Sequence, residues 1–365
     1  MNNFVICATR SMCSYASAVA AALAKFPGFS EYAEHFNKVD LLQTDRFADG
    51  EMEVVINSSV RGKDIFLFTS CARNESNIGV EEAKIELYHA LDALKRAQAN
   101  KIIVFEPFVS CSRSDRTFRR SSVGLWTHLK ILASLGVQHI VTYQFHSDKT
   151  KSMMDPTICS IDDVPALNLL KKYICDTYIK SIEKLEQEVR PHWAFCSVDA
   201  GGEKLTRNFA DAFGAPLVVA HKQRDYSKSN TIESINILSA EPVEGKSLWI
   251  VDDMIDTAGS VETLIRALAR LQPREINLVA VHALFSPPAA KRLNALSAEG
   301  LLKRIIVTDT VCPSIPQPIS GLEVVSSTEH SARIIKIIIN NESLYKVLRN
   351  FNADIYLGNK HEAGH

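Results

Sequence analysis

The sequence predicts an α/β protein with two similar halves, each a mainly parallel sheet flanked by helices. Three observations predict this fold class. Short apolar runs alternate with helical patterns, the alternation occurs twice, and 365 residues exceed what one typical domain needs. A content of 46% hydrophobic and 23% charged residues is ordinary for a globular protein, so the chain can bury a core in each half.

The predicted elements follow one another in a regular order. In the first half, strands are predicted at 3–7, 64–68, 101–105 and 139–143, with helices at 14–25, 81–97 and 125–135. In the second half, strands are predicted at 193–196, 216–219, 247–251, 276–281 and 304–307. A polar segment at 148–164 reads as the linker. We therefore expect domains at 1–160 and 161–345, followed by a tail at 346–365.

Charge and cysteine usage narrow the function classes. The 41 basic and 42 acidic residues give a net charge of -1, so no overall basic field favours nucleic acid or a membrane surface. Any anion site must be local. Eight scattered cysteines without a CxxC pair predict reduced thiols in a cytoplasmic protein. No apolar run reaches the roughly 18 residues that a membrane-spanning helix requires.

The stretch SLWIVDDMIDTAGS, residues 247–260, carries the most specific chemistry. An apolar strand ends in Asp252 and Asp253, and a helical pattern begins at 261, so the residues between them form a strand-to-helix loop. Free N–H groups at the helix start, with the Thr257 and Ser260 hydroxyls and the small Gly259, suit a phosphate. The two carboxylates suit a vicinal diol, because they only accept hydrogen bonds. Ribose 5-phosphate combines both features. The alternative is that the aspartates merely cap the next helix.

This stretch resembles the signature for phosphoribosyl pyrophosphate (PRPP) that type I phosphoribosyltransferases and PRPP synthetases share, with Ala258 at a usual glycine. Other stretches, in the same order, resemble the synthetases: 46–51 followed by 60–64, 107–108 with 113–116, 197–202, and 221–224. The resemblance runs from Phe4 to about Leu348. The chain is thus identified as a divergent member of the ribose-phosphate diphosphokinase family. That resemblance implies two tandem domains similar to type I phosphoribosyltransferases.

The resemblance implies a reaction in which the diphosphoryl group of ATP moves to the 1-hydroxyl of ribose 5-phosphate, giving PRPP and AMP. Mg²⁺ is the implied cofactor and ATP the co-substrate. The ribose 5-phosphate site is implied at Asp252, Asp253, Asp256, Thr257, Ala258, Gly259 and Ser260, and the ATP site at Phe47, Asp49, Glu51, Arg113, Ser114 and Asp115. Catalysis is assigned to Lys222 and Arg224, and metal binding to His146 and Asp199.

For Lys222, Arg224 and His146, a non-functional interpretation stays open at this point. The segment around Lys222 and Arg224 can be an exposed basic stretch. A lone histidine such as His146 is often structural.

In the family the segment with Phe47 serves a neighbouring subunit, which implies a homo-oligomer built from dimers, for example a hexamer.

The sequence departs from the family mainly in its first half. Ser114 stands at a usual glutamine, the residues before His146 lack an aspartate, and 121–124 lack the usual proline and basic residues. Two other functions are therefore weighed: a PRPP-using phosphoribosyltransferase and a non-catalytic regulatory partner of a synthetase. A transferase needs neither the segment 47–51 nor a second α/β half. A non-catalytic partner is expected to lose residues such as Lys222 and Asp252, which are present.

Overall fold

The computed structural model describes residues 3–117, 120–224, 232–312 and 317–362, without the side chains of 222–224, 232–235 and 360–362. These residues form two compact units. The first runs to Pro165 and adds 310–312 and 326–348; the second runs from Ala166 to Asp309 and adds 317–325 and 349–362. The domain boundaries near 160 and 345 stay a prediction. No helix in the described part of the chain is both long and apolar enough to cross a membrane.

The first part of the chain alternates strands and helices as the sequence predicts. Its strands are β1 (Phe4–Ala8), β2 (Leu42–Arg46), β3 (Met52–Ile56), β4 (Asp64–Phe68), β5 (Lys101–Phe105), β6 (His139–Tyr143) and β7 (Ser160–Val164). Its helices are α1 (Cys13–Leu23), α2 (Ala33–Phe36), α3 (Val80–Arg96) and α4 (Gly124–Ser134).

The rest of the chain repeats the alternation. Its strands are β8 (Trp193–Ser197), β9 (Leu217–Arg224), β10 (Ile232–Ser239), β11 (Ser247–Ile255), β12 (Glu275–Ala283), β13 (Arg304–Thr308) and β14 (Leu322–Val325). Its helices are α5 (Leu167–Ile174), α6 (Ile182–Lys184), α7 (Arg190–His192), α8 (Glu203–Phe213), α9 (Gly259–Ala269), α10 (Ala289–Ala298), α11 (Thr328–Ile339), α12 (Tyr345–Leu348) and α13 (Ala353–Glu362).

Each unit contains one sheet of mainly parallel strands. The first sheet has the order β1-β4-β5-β6-β7, and every neighbouring pair is parallel. The second has the order β10-β9-β8-β11-β12-β13-β14, parallel except for the edge pair of β10 with β9. Strands β2 and β3 form a separate antiparallel hairpin. Parallel pairing requires crossovers. Helices α3, α4, α8, α9 and α10 each lie in one of them.

Helices cover both faces of the first sheet. On one face, α3 and α4 pack their apolar sides onto alternate residues of the strands. On the other face, the hydroxyl of Tyr15 on α1 lies 2.9 Å from the Ser331 hydroxyl on α11, and the Tyr143 hydroxyl of β6 lies 2.6 Å from it. The late helix α11 thus belongs to the unit formed by the early part of the chain.

Strand β7 corrects the prediction that 148–164 is wholly a linker. Residues 160–164 pair in parallel with β6 at the edge of the first sheet. Two consecutive aspartates interrupt the apolar pattern that would predict this strand, but each aspartate has a partner in the folded protein. Asp162 lies 2.8 Å from His139, and Asp163 accepts a hydrogen bond from the Phe145 amide at 3.0 Å. Tertiary contacts therefore stabilise a strand that local propensity does not favour.

The second sheet is also covered on both faces. Helices α9 and α10 pack onto one face, with Leu264 and Leu293 among their buried residues. On the other face, the ring of Phe195 in β8 packs 5.1 Å from Phe209 of α8. Helix α13 is fastened to this unit by polar contacts, including a 2.7 Å ion pair between Arg190 and Asp354.

A buried lysine links two helices of the second unit. Lys171 on α5 is fully buried, and its Nζ donates to the carbonyl oxygen and the Oδ1 of Asn208 on α8, at 3.1 and 2.6 Å. Burial lowers the pKa of Lys171 to about 7, although Asp211 acts in the opposite direction. The folded state therefore holds this proton less tightly than the unfolded state does.

We expect the effect of Lys171→Met on stability to depend on pH. Below pH 7 the wild-type protein carries the full cost of a buried charge. Between pH 7 and the ordinary lysine pKa of 10.5, the folded state has already lost that proton, so wild-type stability rises with pH. The stability of the variant relative to wild type should fall by up to about 1.4 kcal/mol per pH unit in this window. Calorimetry at pH 6, 8 and 9.5 measures it.

The neighbouring Lys172 is exposed on the same helix and provides the matched control. Lys172→Met should show no such trend with pH. A Lys171→Met curve parallel to that of Lys172→Met would contradict the proposed depression of the Lys171 pKa.

Candidate functional site

The loop after β11 is built by the central strand of the second sheet. β11 lies between β8 and β12 and is fully covered up to Val251. It then places Asp252, partly exposed, and Asp253, 7% exposed, near its carboxyl end. A turn at 256–258 leads into α9, which begins at Gly259, two residues before the start that the sequence pattern predicts. The strand end and the helix start therefore meet at the edge where open α/β sheets bind ligands.

Ala258 occupies a conformation that disfavours side chains. Its φ is +58° and its ψ is +11°, in the left-handed region. For an L residue this region costs roughly 1–2 kcal/mol, because Cβ approaches the following carbonyl oxygen. The Ala258 methyl is buried in the core of the second unit. The turn is thus held by its surroundings and not by local preference.

A second turn follows β8, the neighbour of β11. Ser197 pairs with Val251 in the sheet, and the chain then turns through Asp199 to α8. The Gly202 amide donates to Asp199 Oδ1 at 3.1 Å, which fixes this carboxylate. The buried Ser197 hydroxyl is one of few buried side-chain groups without a hydrogen-bond partner among the described residues. Such a group at a strand end is a candidate ligand contact.

The two turns bring carboxylates into electrostatic contact. Burial raises the pKa of Asp252 well above its ordinary value, and the charges of Asp253 and then Asp199 raise it further. The Asp253 amide donates to Asp252 Oδ1 at 2.9 Å and offsets part of this effect. The carboxyl edge of the second sheet therefore places Asp252 within electrostatic reach of two other carboxylates.

The donor set at this edge fits a hard cation that shares its ligands with a substrate. The described residues hold no group of three or more His, Cys, Asp or Glu side chains arranged as a complete metal site. Mg²⁺ commonly binds proteins through one or two carboxylates, with waters and substrate phosphates completing the shell. The raised pKa of Asp252 and the unpaired Ser197 hydroxyl agree with such a partial site.

In the first unit, the segment with Phe47, Asp49 and Glu51 forms the tip of the β2–β3 hairpin. The Phe47 ring is 55% exposed, and Asp49 Oδ1 accepts a hydrogen bond from the Glu51 amide at 3.1 Å. At the base of the tip, Arg46 donates to the Gly50 carbonyl oxygen at 2.7 Å and to Glu82 of α3 at 2.7 Å. The hairpin therefore presents an exposed ring and two carboxylates from an anchored turn.

The loop after β5 rests on buried polar contacts. Glu106 is fully buried and accepts hydrogen bonds from the Ser110 amide at 2.9 Å and from His128 Nε2, also at 2.9 Å. The other ring nitrogen of His128 lies 3.0 Å from the Tyr88 hydroxyl. These contacts tie the start of the loop to α3 and α4.

Further along this loop, Ser114 serves the fold directly. Its Oγ accepts from the Gly124 amide at 2.9 Å, and its carbonyl oxygen accepts from Leu125 at 3.2 Å, which satisfies two N–H groups at the start of α4. Arg113 is exposed and Asp115 partly so. The three predicted ATP residues thus lie on one loop, and the short Ser114 side chain acts there as a helix cap.

The remaining predicted residues are positioned by strands. His146 is exposed just after β6 in the first unit. Lys222 and Arg224 lie on the backbone of β9 in the second unit, where residues 222 and 224 pair with 235 and 232 of β10. Their side chains lie outside the described structure, so their catalytic role stays a prediction.

One contact in the site leaves no signal in the single sequence. Arg292 on α10 donates from Nη1 to the Thr257 carbonyl oxygen at 2.9 Å. The two residues are 35 positions apart, and Arg292 lies in an ordinary helical pattern. Covariation between positions 257–259 and 292 in an alignment of relatives is the signal that could have found it.

Comparisons with known proteins agree with this architecture. Residues 5–136 match the family model described as the N-terminal domain of ribose phosphate pyrophosphokinase, and residues 173–298 match the phosphoribosyl transferase domain model. Each unit is therefore of the phosphoribosyltransferase-like class.

Individual relatives specify the family. A ribose-phosphate pyrophosphokinase of Fusobacterium nucleatum is 31% identical over 303 residues, covering 83% of this chain and 88% of the relative. The Porphyromonas gingivalis protein of the same name is 29% identical with the same coverage. The crystal structure of a phosphoribosylpyrophosphate synthetase from Mycobacterium smegmatis matches with a TM-score of 0.77 and 26% identity, over 93% of this chain and all of that one. The chain belongs to the ribose-phosphate pyrophosphokinase family, as its motifs predict.

The raised pKa of Asp252 leads to a prediction about the protein without ligand. A carboxyl with a raised folded-state pKa contributes its full stability below the ordinary value of 3.8 and loses it as pH rises through the folded pKa. Asp252→Asn should therefore raise Tm at pH 8, by about 2–4 °C for each kcal/mol recovered. The gain should vanish near pH 4.

Thermal melts of the ligand-free protein at several pH values test this expectation. Asp40→Asn, which changes an exposed carboxylate of the first unit, provides the control and should leave the melts unchanged. A lower Tm for Asp252→Asn at pH 8 would mean that the carboxylate is stabilised by its surroundings.

Proposed function

We propose that this protein forms PRPP from ATP and ribose 5-phosphate for nucleotide biosynthesis. The 1-hydroxyl oxygen of the sugar attacks the β-phosphorus of ATP, and the bond from that phosphorus to the oxygen bridging to the α-phosphate breaks. The hydroxyl loses its proton, AMP departs, and the β,γ-diphosphoryl group stays on the sugar. Family membership supports this activity.

The loop after β11 is the observation that carries the proposal. It combines a helix start, two hydroxyl side chains and two carboxylates at the carboxyl end of a central strand. In the proposed complex, the 5-phosphate accepts from the N–H groups of Gly259 and Ser260 and from the Thr257 hydroxyl. Asp252 and Asp253 accept hydrogen bonds from the ribose hydroxyls. Asp256 completes the acidic side of the loop.

The first unit would supply the nucleotide contacts. Phe47 offers an exposed ring for stacking on adenine, and Asp49 and Glu51 offer acceptors for its amino group. Arg113 would face the phosphates, with Ser114 and Asp115 completing the loop. Arg113 suits this role because its planar guanidinium can contact two phosphate oxygens at once.

Lys222 and Arg224 would hold the charge of the transferred group. Phosphoryl transfer depends mostly on positioning and on electrostatic stabilisation of the developing charge. A lysine supplies a mobile point charge, and an arginine supplies a fork that matches two oxygens. Both residues lie in the last three positions of β9, next to residues 225–231, which lie outside the described structure.

Mg²⁺ is the proposed cofactor, with Asp199 of the second unit and His146 of the first unit each proposed as a metal ligand. A bound Mg²⁺ would supply positive charge that offsets the charge of the polyphosphate. In the second unit, Asp199 is already oriented by the Gly202 amide, and its charge acts on Asp252, whose pKa is raised first by burial and then by the neighbouring carboxylates. A bound cation would relieve this repulsion. We further propose a cytoplasmic homo-oligomer built from dimers, in which hairpins are exchanged between neighbouring subunits' ATP sites.

The direct test is to incubate the purified protein with ribose 5-phosphate, MgATP and no other protein, and to measure AMP and PRPP. We expect both products in equal amounts, and none without Mg²⁺. Binding of ribose 5-phosphate without AMP release at saturating MgATP, with activity only after a second synthetase chain is added, would establish the non-catalytic role. PRPP consumption with a free base would establish the transferase.

Two sets of variants separate the roles within this site. We expect Lys222→Ala and Arg224→Ala each to lower kcat by about 10²–10³ with small effects on KM, as loss of a transition-state donor does. We expect Asp253→Ala to weaken ribose 5-phosphate binding by roughly 1.5–3 kcal/mol and to leave ATP binding nearly unchanged. Steady-state kinetics and isothermal titration measure these effects.

Two outcomes would contradict the assigned roles. Turnover at the wild-type rate in both loop variants would show 222–224 to be a surface stretch. Equal losses of ATP and sugar affinity in Asp253→Ala would remove it from the sugar site.

A further inference from the structure

Arg292 connects helix α10 to the loop between β11 and α9. Its Nη1 donates to the Thr257 carbonyl oxygen at 2.9 Å, and its Nε lies 3.3 Å from Glu262 in the first turn of α9. A Cβ added to Gly259 would lie 3.1 Å from the same Nη1. The guanidinium therefore packs closely against the start of α9, at a point where a side chain on residue 259 would obstruct it.

This hydrogen bond fixes the direction of one peptide group. In a trans peptide the carbonyl and the following N–H point in opposite directions. With the Thr257 carbonyl directed at Arg292, the Ala258 N–H must point away from α10. The Ala258 carbonyl is also fixed, because it accepts the first helical hydrogen bond from the Glu262 amide at 2.9 Å. Both peptide groups flanking Ala258 are thus constrained.

The constraint is needed because residue 258 is not glycine. With φ at +58°, Ala258 is held in a conformation that alanine populates only at an energetic penalty. Rotation of the preceding peptide would relieve the penalty, but it would break the bond from Arg292 and redirect the Ala258 N–H. Glycine populates both signs of φ about equally and needs no such support.

We propose that Arg292 is a positioning residue for ribose 5-phosphate, a role that rests on the proposed function. It acts through the Thr257–Ala258 peptide and keeps the loop in the conformation that binds the 5-phosphate. Without it, Ala258 relaxes towards negative φ and the binding conformation becomes a minor state. The affinity for the sugar phosphate then falls in proportion to the fraction of molecules that still hold the binding conformation.

Arg266 provides a matched control. It is an arginine of α9 that pairs with the same Glu262, at 3.2 Å, and also with Glu299, directly after α10, at 2.6 Å. Within the described part of the chain, its hydrogen bonds go to the carboxylates of Glu262 and Glu299 and not to the loop carbonyls. Arg266→Ala thus removes the same charge and disturbs the same pair of helices without releasing the peptide.

The experiment is a double-mutant cycle between Arg292→Ala and Ala258→Gly, with titration of ribose 5-phosphate as the readout. In the alanine background we expect Arg292→Ala to weaken binding about tenfold, which is the population loss for a penalty of roughly 1.4 kcal/mol. In the Ala258→Gly background the loss should be about threefold or less, since glycine tolerates the turn. Arg292→Lys should recover part of the loss, because its ammonium can still donate to the carbonyl.

Three further readouts distinguish positioning from simple destabilisation. Arg292→Ala should raise KM for ribose 5-phosphate and leave KM for ATP unchanged, whereas Arg266→Ala should change neither. In the absence of ligand, amide exchange at 258–260 should be faster in Arg292→Ala than in Arg266→Ala. Tm should be similar in the two variants.

Each contrary result has one meaning. Equal losses for Arg292→Ala in both backgrounds would show that the guanidinium acts by its charge and not through the peptide, and would overturn the inference. Unchanged sugar affinity in Arg292→Ala, with normal binding by wild type, would also overturn it and leave the proposed function intact. Failure of the wild-type protein to bind ribose 5-phosphate would contradict the proposed function itself.

Discussion

The second unit depends on a concentration of negative charge that its own strands create. Parallel strands end at the same edge of a sheet, so residues near the carboxyl ends of the adjacent strands β8 and β11 become neighbours. Here those residues are Asp199, Asp252 and Asp253, and burial together with repulsion from the other two carboxylates raises the pKa of Asp252. An arrangement that is unfavourable in the free protein is well suited to hydroxyl donors and cations. The proposed sugar and metal contacts would use this arrangement.

Other features of this edge are also unfavourable by themselves. Ala258 adopts a left-handed conformation, and the buried Ser197 hydroxyl has no hydrogen-bond partner within the ranges that the structure describes. Such local penalties persist when the surrounding structure determines them, and they are frequent at functional sites. In this unit the surroundings are the apolar packing of α9 and α10 on the sheet and the bond from Arg292 to Thr257. The packed helices therefore offset the strain that the loop carries.

The sequence predicts the parts of this structure that are encoded locally. The apolar run of β11, the acidic pair and the small residues before α9 lie within 14 consecutive positions, so pattern and motif coincide. Strand β7 was missed because Asp162 and Asp163 interrupt its pattern, and their partners His139 and Phe145 are 23 and 18 positions away. The packing of α11 against Tyr15 joins residues 316 positions apart. No local pattern carries such contacts.

The loop after β5 shows how a divergent sequence can keep the architecture of its family. Ser114 replaces a usual glutamine, yet its hydroxyl and carbonyl satisfy the first amides of α4, so the change supplies a helix cap. The loop begins at Glu106, whose buried carboxylate is held by His128 and the Ser110 amide. Loss of either partner would leave buried polar groups unsatisfied and would destabilise the unit. The departures from the family therefore change how the loop is held in place, while Arg113 stays exposed on its surface.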